Sequence, residues 1–445
     1  MPMNLGLTLI DDSAPPGGAE HDPAEAAAFA IHPPRTRAGL NPLKRDEFLN
    51  GLSAIRRACL ALGRASGQTC LQLLDLQQIR YRFGRRWTPL RPKIFGIVES
   101  SLQRDLGRDD AYVAVSETLF YVFRIGLKRQ DAERRGWLAA ADITERLCGA
   151  IPGGVAVTLK TVPFDVGAGL AGVTSLEQLR NRVEAFSRSV DDAELRVFLD
   201  HAAQLQPWFR PTINLRKRLI SAYHLEPVLQ GPADSRRPLS ALCPASLNGI
   251  FDAEADNWSI QQVGRLLSAP GARRQRASII VPVHYETLAT MRLREPFLLL
   301  CRQLPPASTR HLVLEILGLP SGMPQSRVRE LMSYLRPFCL TLVARLPHDV
   351  LYAEHLANSG ITGLSLRPDR LDPEAPAAAE TLHMLVDAAR AQRMRSLLVD
   401  ARSVHLCHAA LRAGVDQLNG EAFMPAVRQP GRAILVNRAA GGRPA

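Results

Sequence analysis

The sequence lacks the features that would place the chain in a membrane or in several common enzyme classes. No window approaches the ~18 uninterrupted apolar residues that a membrane-spanning helix needs. The first residues, MPMNLGLTLIDDSAPPGG, have neither the basic segment nor the long apolar stretch of a secretory signal. No Walker loop, GxSxG elbow or HExxH motif occurs. These absences predict a cytoplasmic protein without a membrane span.

Cysteine and lysine are scarce, whereas arginine is abundant. The seven cysteines are an odd number, widely spaced and mostly within apolar runs, which is typical of free thiols in a reducing compartment. The formal net charge is +12, and the basic residues are spread along the chain instead of forming a patch. No zinc-finger spacing or RNA-recognition signature accompanies them. Nucleic-acid binding is therefore disfavoured.

The 445 residues suggest two or three domains. The composition of residues 1–40 and 428–445, rich in Pro, Gly and Ala without periodicity, predicts disordered tails. In residues 41–172, strands and helices alternate around one hairpin, which predicts an α/β sandwich of one sheet with helices. In residues 204–427, short apolar strands are each followed by a helical stretch, which predicts a closed (β/α) barrel.

A connecting helix is predicted over residues 173–203. The sequence from Thr174 to Glu177 matches a capping box. After this box, apolar residues recur at steps of three and four over about two heptads. A coiled coil is indicated only when such a pattern continues for three to four heptads. Two alternatives follow, namely packing against a neighbouring domain or a homodimer through this helix. The apolar seam consists of Leu176, Leu179, Val183, Phe186 and Val190.

The second body resembles the EAL domain, the barrel phosphodiesterase of the bacterial second messenger cyclic diguanylate (c-di-GMP). FRPTINL at residues 209–215 lies over the family's YQPIVDL, and His224-Leu225-Glu226 then falls on the signature EAL itself. Further matching segments follow in the family's order over more than two hundred residues, which implies an EAL-type (β/α)8 TIM-like barrel. They are IIVPVH at 279–284, VLEILG at 313–318, LRPFCLTLVARL at 335–346, GLSLR at 363–367 and LRAGVDQLNGEAF at 411–423.

The first body resembles a GGDEF domain, the cyclase fold that makes the same messenger. LLDLQQIR at residues 73–80 lies over the metal-binding LLDLDxFK, and residues 105–123 lie over the segment that contains GGDEF. A GGDEF domain followed by an EAL domain is a common tandem. The resemblance therefore implies a degenerate GGDEF-like domain before a degenerate EAL-like barrel.

The EAL resemblance implies a hydrolytic site with two divalent cations held by carboxylates. Of the matching positions, Glu315 keeps a carboxylate, and Asp400 is the best candidate for a second ligand, although it could instead cap the next helix. Arg345 would bring positive charge to the place of a bridging aspartate. We therefore expect no metal, no cofactor and no hydrolysis. The vestigial positions are Arg210, His224, Pro282, Glu315, Arg345, Leu346, Ser365, Asp400 and Asn419.

The cyclase positions are also substituted. Side chains replace the two glycines that let backbone approach the nucleotide, and Asp75 survives as one metal ligand whose partner has become Gln77. The product-inhibition motif falls on residues 107–110, without its arginine unless Arg108 substitutes. We expect neither synthesis nor feedback binding. The vestigial positions are Asp75, Gln77, Ser116, Glu117, Thr118, Leu119 and Phe120.

Two functions remain in view. The first is a non-catalytic signalling or scaffold protein of the c-di-GMP family, a pseudoenzyme that regulates through contacts with a protein partner. The alternative is a receptor that binds c-di-GMP without hydrolysis, using Arg210, Arg345 and Arg367 for the phosphates. Minor candidates for a soft metal site are histidines at the predicted barrel mouth and a helical pair further on. They are His224, His284, His348, His355, His405 and His408.

Overall fold

The computed structural model describes most of the chain between residues 39 and 436. The described ranges are 39–40, 45–61, 69–107, 109–148, 157–164, 166–231, 236–243, 249–269, 277–320, 323, 325–346, 353, 356–368 and 376–436. Residues 1–38 and 437–445 of the predicted tails lie outside them, as do Arg108, His348 and His355. Within these ranges, no helix has the length and hydropathy needed to cross a lipid bilayer.

The first body is a five-stranded sheet with helices on both faces, which confirms the predicted sandwich. Its strand order is β1-β3-β4-β2-β5, and β2, β3, β4 and β5 pair antiparallel. The strands are β1 (Gly39–Leu40), β2 (Thr69–Asp75), β3 (Ala111–Ala114), β4 (Leu119–Ile125) and β5 (Thr158–Pro163). The helices are α1 (Arg45–Ala61), α2 (Gln77–Phe83), α3 (Trp87–Asp105), α4 (Arg129–Cys148) and α5 (Val166–Gly169).

The alternation of side chains along β4 divides the core of this body into two layers. Phe120 and Val122 pack in the cluster that contains residues of α3 and α4. Tyr121 and Phe123 pack in the cluster that contains residues of α1 and α5. Successive residues of a strand point to opposite faces, so a strand as apolar as LFYVFRI is suited to a sheet covered on both sides.

A long helix, α6 (Leu176–Ala202), joins the two bodies. The seam residues Leu179 and Val183 are buried in the core cluster of the sheet domain, and near the other end Phe198 packs against Phe251 of the barrel domain. The apolar seam therefore packs against the sheet domain of the same chain, which is the first of the two predicted alternatives. The N-cap of this helix is Ser175, one residue later than the Thr174 of the predicted capping box. The hydroxyl of Ser175 accepts a hydrogen bond from the backbone N–H of Gln178.

The second body is a closed barrel of eight strands. Its strands are β6 (Leu205–Asn214), β7 (Leu219–Gln230), β9 (Ser278–His284), β10 (Leu312–Leu317), β11 (Thr341–Leu346), β12 (Gly363–Leu366), β13 (Arg395–Leu398) and β14 (Gln417–Leu418). A short strand, β8 (Arg236–Pro238), pairs with β7 outside the barrel. The helices are α7 (Ile250–Ser268), α8 (Tyr285–Ala289), α9 (Met291–Arg302), α10 (Gln325–Leu335), α11 (Pro376–Ala391) and α12 (Val404–Ala413).

The pairing of β7 with β9 closes the barrel, so the predicted α/β fold class is confirmed. The strands from β9 to β14 are parallel, whereas β6 runs antiparallel to both of its neighbours, β7 and β14. A turn of four residues joins β6 to β7, and so short a connection can only join antiparallel strands. The carboxyl ends of seven strands therefore meet at one end of the barrel, here called the mouth.

The predicted tail at residues 428–445 begins too early. Val427 and Phe209 exchange backbone hydrogen bonds, and a last strand, β15 (Ile434–Leu435), pairs antiparallel with β7. Likewise Gly39–Leu40, at the end of the first predicted tail, pair with β3. Composition missed both pairings because backbone bonds to an available strand edge make little demand on side chains.

Candidate functional site

The interior of the barrel is built in layers, which explains why several of the positions singled out by the EAL resemblance meet. Ala222, Ile280, Val313, Val343 and Leu397, from five of the eight strands, lie in one buried cluster. Two residues further along each strand, towards the mouth, the side chain again points inward. These second positions are His224, Pro282, Glu315, Arg345 and Val399.

Glu315 is the centre of this second layer. Its side chain is fully buried, and both carboxylate oxygens accept hydrogen bonds. Arg345 donates from Nε to Oε1 (3.1 Å) and from Nη2 to Oε2 (2.7 Å). His224 donates from Nε2 to Oε2 (2.7 Å), and the hydroxyl of Ser365 donates to Oε1. Four of the predicted positions therefore form one network.

The network keeps Glu315 ionised. Burial alone would raise the pKa of its carboxyl group, but the charges of Arg345 and His224 and the hydrogen bonds from His224 and Ser365 hold that pKa far below its usual range. The Nδ1 atom of His224 is buried and has no hydrogen-bond partner among the described residues. Of the two ring nitrogens, Nε2 is therefore the one that donates to the carboxylate of Glu315.

These residues do not fit the two cations that the EAL resemblance implies. Divalent cations such as Mg²⁺ need several oxygen ligands, and a pair of them needs bridging carboxylates. Both Glu315 oxygens are already engaged, and the guanidinium of Arg345 lies 2.7 Å from Oε2, where it would repel a metal ion. Among the residues that the structure describes, no three His, Cys, Asp or Glu side chains are grouped to hold a metal.

Arg210 lies on the rim in a second ionic group. It makes a two-pronged contact with Glu226, through Nε (2.7 Å) and Nη2 (2.8 Å), and donates from Nη1 to Glu421 (2.9 Å). Arg210 pairs directly with His224 in the hairpin register, so Glu226, two residues on, lies diagonally across from it. The hairpin register is therefore the signal that could have predicted this ion pair.

Asp400 belongs to a third group and does not cap the next helix. Its carboxylate accepts from Arg367 (3.2 Å) and from Arg402 (2.7 Å), and its backbone N–H donates to Asn419 Oδ1 (2.9 Å). The cap of α12 is instead Ser403, whose hydroxyl accepts from a backbone N–H one turn on. The expected helix-capping role for Asp400 is therefore wrong, since two arginines use the carboxylate.

His284 was expected near the mouth, but its acidic partners were missed. Its ring Nδ1 lies 2.9 Å from Asp256, and its backbone N–H donates to the same carboxylate (2.7 Å). Burial would lower the pKa of His284, but the charges of Asp256 and Asp252 and the hydrogen bond that His284 donates to Asp256 outweigh it and raise the pKa to about 9. Asp256 and Asp252 come from α7, a helix that carries no recognisable motif.

A cavity of about 590 Å³ opens at the mouth and connects the three groups. Its wall is largely apolar, with Leu225, Leu239 and Phe251 among its side chains. On one edge, the guanidinium carbons of Arg236 and Arg428 lie 4.4 and 4.5 Å from the ring centre of Trp208, as in cation–π contacts. This edge was not predicted.

The other barrel positions singled out by the EAL resemblance pack within the barrel. Pro282 pairs with Glu315 across β9 and β10, and Leu346 is buried. Asn419 is fully buried and also donates to the hydroxyl of Thr212 (3.1 Å). His405 and His408 lie exposed on α12, which is the ordinary helix surface that their spacing favours.

In the sheet domain, the positions singled out by the GGDEF resemblance lie in the turn before β4 and at the junction of β2 and α2. Ser116 accepts hydrogen bonds from the backbone of Thr118 and Leu119, and Thr118 donates to Gln77 (3.4 Å). Asp75 accepts from the backbone N–H of Gln77 at the start of α2 (2.8 Å). Glu117 forms ion pairs with two arginines, and Leu119 and Phe120 begin β4. These side chains thus bond one another and the neighbouring backbone.

Behind this turn lies a buried ionic group that the sequence did not suggest. Arg124 is fully buried and binds Asp110 (3.2 Å), Asp105 and the side-chain oxygen of Gln72 (2.9 Å). Asp110 also accepts from the backbone N–H of Ile125 (2.9 Å). The aspartate expected in a product-inhibition motif therefore holds the sheet domain together.

Comparisons with known proteins found similar solved structures only. No family model matches the sequence, and no curated protein matches it either. The FimX EAL domain of Pseudomonas aeruginosa bound to c-di-GMP is 17% identical, covers 54% of this chain and 96% of its own, and gives a TM-score of 0.39. The Bacillus subtilis YkuI protein, with an EAL domain and in complex with c-di-GMP and calcium, is 16% identical over 54% of this chain and 60% of its own (TM-score 0.43). The S helix-GGDEF-EAL part of Vibrio cholerae LapD is 11% identical over 89% of this chain and 97% of its own (TM-score 0.40).

Proposed function

We propose that the chain is a non-catalytic signalling or scaffold protein of the c-di-GMP family that acts through protein contacts at the barrel mouth. The observation that carries the proposal is the Glu315 network. Arg345 supplies next to this carboxylate the positive charge that metal ions supply in a hydrolytic site. The order of the EAL-like segments along the chain supports the choice of family.

The cost of burying charge supports the same conclusion. A buried carboxylate is tolerated only when it is paired and hydrogen-bonded, and removal of one partner from such a group typically costs about 3–5 kcal/mol. Arg345 and Glu315 are thus mutually required for stability. A metal ion could enter only after Arg345 had left Glu315, so the ion would have to offset that loss before it bound.

A hydrolysis assay tests the proposal directly. The full chain is incubated with c-di-GMP and Mn²⁺ or Mg²⁺, and the linear dinucleotide is measured by chromatography. We expect no product above that of the Glu315→Gln variant prepared in the same way. Metal-dependent turnover by the natural chain that the variant lacks would contradict the proposal.

The second candidate is a receptor that binds c-di-GMP without cutting it. In its favour, Arg210, Arg345 and Arg367 all line the mouth cavity. Each of them already binds a carboxylate, so a phosphate would have to replace that contact. A calorimetric titration separates the candidates, since micromolar binding would favour the receptor and silence at millimolar c-di-GMP would favour the scaffold.

The partner side of the proposal is tested with variants at opposite ends of the barrel. Arg402 is exposed at the mouth, whereas Arg310 is exposed just before β10, at the other end. A partner of the mouth should be captured from lysate by the natural chain and by Arg310→Glu, and lost with Arg402→Glu. Equal capture by both variants would place the contact elsewhere.

A further inference from the structure

Positive charge is concentrated in one segment of the sheet domain. Residues 76–98, which follow β2 and run into α3, contain six lysines and arginines and no aspartate or glutamate. Four of the six are exposed and form no ion pair with any carboxylate among the described residues. They are Arg82, Arg85, Arg86 and Lys93. The prediction against nucleic acid rested on an even spread of basic residues, from which this segment departs.

The contacts of the segment leave these four charges without compensation. The other two cations, Arg80 and Arg91, form ion pairs with Glu117 (3.4 and 2.6 Å). Arg82 hydrogen-bonds to the thiol of Cys148, but burial raises the pKa of that thiol, which keeps it neutral. Like charges at neighbouring positions repel one another and destabilise the compact state. A bound anion would remove that repulsion.

The packing of α2 and α3 holds the four cations on the outside of the sheet domain. Ile79, Trp87 and Ile94, from the same two helices, are buried in the core cluster that covers one face of the sheet. Lys93 follows Arg86 by seven residues, which along α3 is two turns and roughly 10 Å. A nucleic-acid strand carries one phosphate per nucleotide and can follow a row of cations at such spacing.

An exposed aromatic ring lies among these cations. Tyr81 is 87% exposed, more than any other large apolar or aromatic side chain that the structure describes, and it stands between Arg80 and Arg82 in the sequence. Unpaired nucleobases stack on rings of this kind while arginines bind the phosphates. A membrane surface would need several apolar side chains to insert, and within residues 77–93 Tyr81 is the one large side chain exposed for that purpose.

We propose that the cationic surface, defined as Tyr81, Arg82, Arg85, Arg86 and Lys93, binds single-stranded nucleic acid, with a base stacked on the ring and phosphates paired with the four cations. The strand must be single because the bases of a duplex are stacked on their neighbours and cannot reach the ring. Contacts to phosphates and ring faces carry little sequence information, so binding depends weakly on base sequence. The surface belongs to the sheet domain, and the inference is therefore independent of the protein contacts proposed for the barrel mouth.

Fluorescence anisotropy of a labelled fifteen-nucleotide oligouridylate, titrated with the full chain, tests the charged part of the surface. If four phosphates are neutralised, the affinity should fall about 50-fold between 50 and 200 mM NaCl. The key variant, Arg85→Gln with Arg86→Gln, should bind at least 10-fold more weakly and reduce that salt dependence to about 7-fold. The matched control, Arg390→Gln with Arg412→Gln, removes two exposed arginines from α11 and α12 and should bind like the natural chain.

The aromatic part is tested with variants of Tyr81. Tyr81→Ala should lose at least 5-fold in affinity for the oligonucleotide, whereas Tyr81→Phe should keep it, because phenylalanine retains the stacking face. A duplex of the same length should bind more weakly than the single strand. Thermal unfolding of each variant, compared with the natural chain, shows that the exposed substitutions leave the fold intact.

Four results would overturn the inference. The first is no binding of the oligonucleotide at 50 mM NaCl, and the second is an equal loss of affinity in the key variant and in its matched control. The third is unchanged affinity in Tyr81→Ala, since charge alone would then account for binding. The fourth is a preference for another anion, either GTP bound as tightly as the oligonucleotide or phosphatidylserine vesicles bound in its place.

Discussion

Each of the two bodies contains an ionic group built around a fully buried charge. The buried charge is negative in the barrel and positive in the sheet domain. In the barrel, the carboxylate of Glu315 is surrounded by donors, foremost Arg345. In the sheet domain, the guanidinium of Arg124 is surrounded by acceptors, foremost Asp110 and Asp105. Each body thus satisfies its buried charge with groups of its own.

The difference lies in what the two groups face. Arg345 and His224 line the mouth cavity, so the Glu315 network lies at the end of the barrel where parallel-strand folds place their sites. Arg124 instead donates to Gln72 of β2, whose side-chain amide donates in turn to Thr161 and to the backbone carbonyl of Ala132 in α4. The buried ion pair of the barrel thus borders a cavity, whereas the buried ion pair of the sheet domain lies among packed side chains.

The largest expected effects come from removing either buried ion. Glu315→Ala and Arg124→Ala should each lower the free energy of unfolding by about 3–5 kcal/mol, because each strands an opposite buried charge. Urea unfolding of the full chain measures both losses. The double variant Glu315→Leu with Arg345→Met should recover most of the stability lost in the barrel. Failure to recover it would contradict the claim that Glu315 and Arg345 serve only to neutralise each other.

The next effect is a dependence of stability on pH, which we expect from the raised pKa of His284. Its raised pKa, about 9 against roughly 6.5 in the unfolded chain, means that its charged form stabilises the fold. That stability is fully present below pH ~6.5 and is lost as the pH rises through about 9, an effect of roughly 3 kcal/mol. Unfolding measured at pH 6 and pH 10 should show the loss, and Asp256→Asn should reduce it.

A smaller effect is expected at Asp400. Asp400→Asn removes the carboxylate that Arg367 and Arg402 share, but both arginines are partly exposed and can turn to water. We expect a loss of about 1–2 kcal/mol, screened further by salt. Thermal unfolding at low and high ionic strength measures it. A loss as large as that of Glu315→Ala would show that the whole mouth is one ionic unit.

The smallest effect is expected in the turn of the sheet domain. Glu117 pairs with Arg91 (2.6 Å) and Arg80 (3.4 Å) at a partly exposed site. Since pairs of this kind contribute little, Glu117→Gln should cost less than about 1 kcal/mol in urea unfolding. A loss of several kcal/mol would contradict the comparison, because this turn would then resemble the Glu315 network in importance.

The EAL resemblance implied one site for His224, Glu315 and Arg345, and in the structure hydrogen bonds join the three side chains. It could not predict Arg124, since an arginine in LFYVFRI becomes tolerable in a core only through acceptors on other segments. The same reason explains the missed partners of His284, which come from α7. Where a site depends on side chains that carry no motif, only the packed structure brings them together.

The central claim is that Glu315 is engaged by Arg345, His224 and Ser365 and so holds no divalent cation. Electron paramagnetic resonance of Mn²⁺ titrated into the full chain, with Glu315→Gln as the control, tests it most directly. The two chains should leave the same amount of free Mn²⁺ at every point of the titration. A stoichiometric site in the natural chain that disappears in Glu315→Gln would contradict the claim.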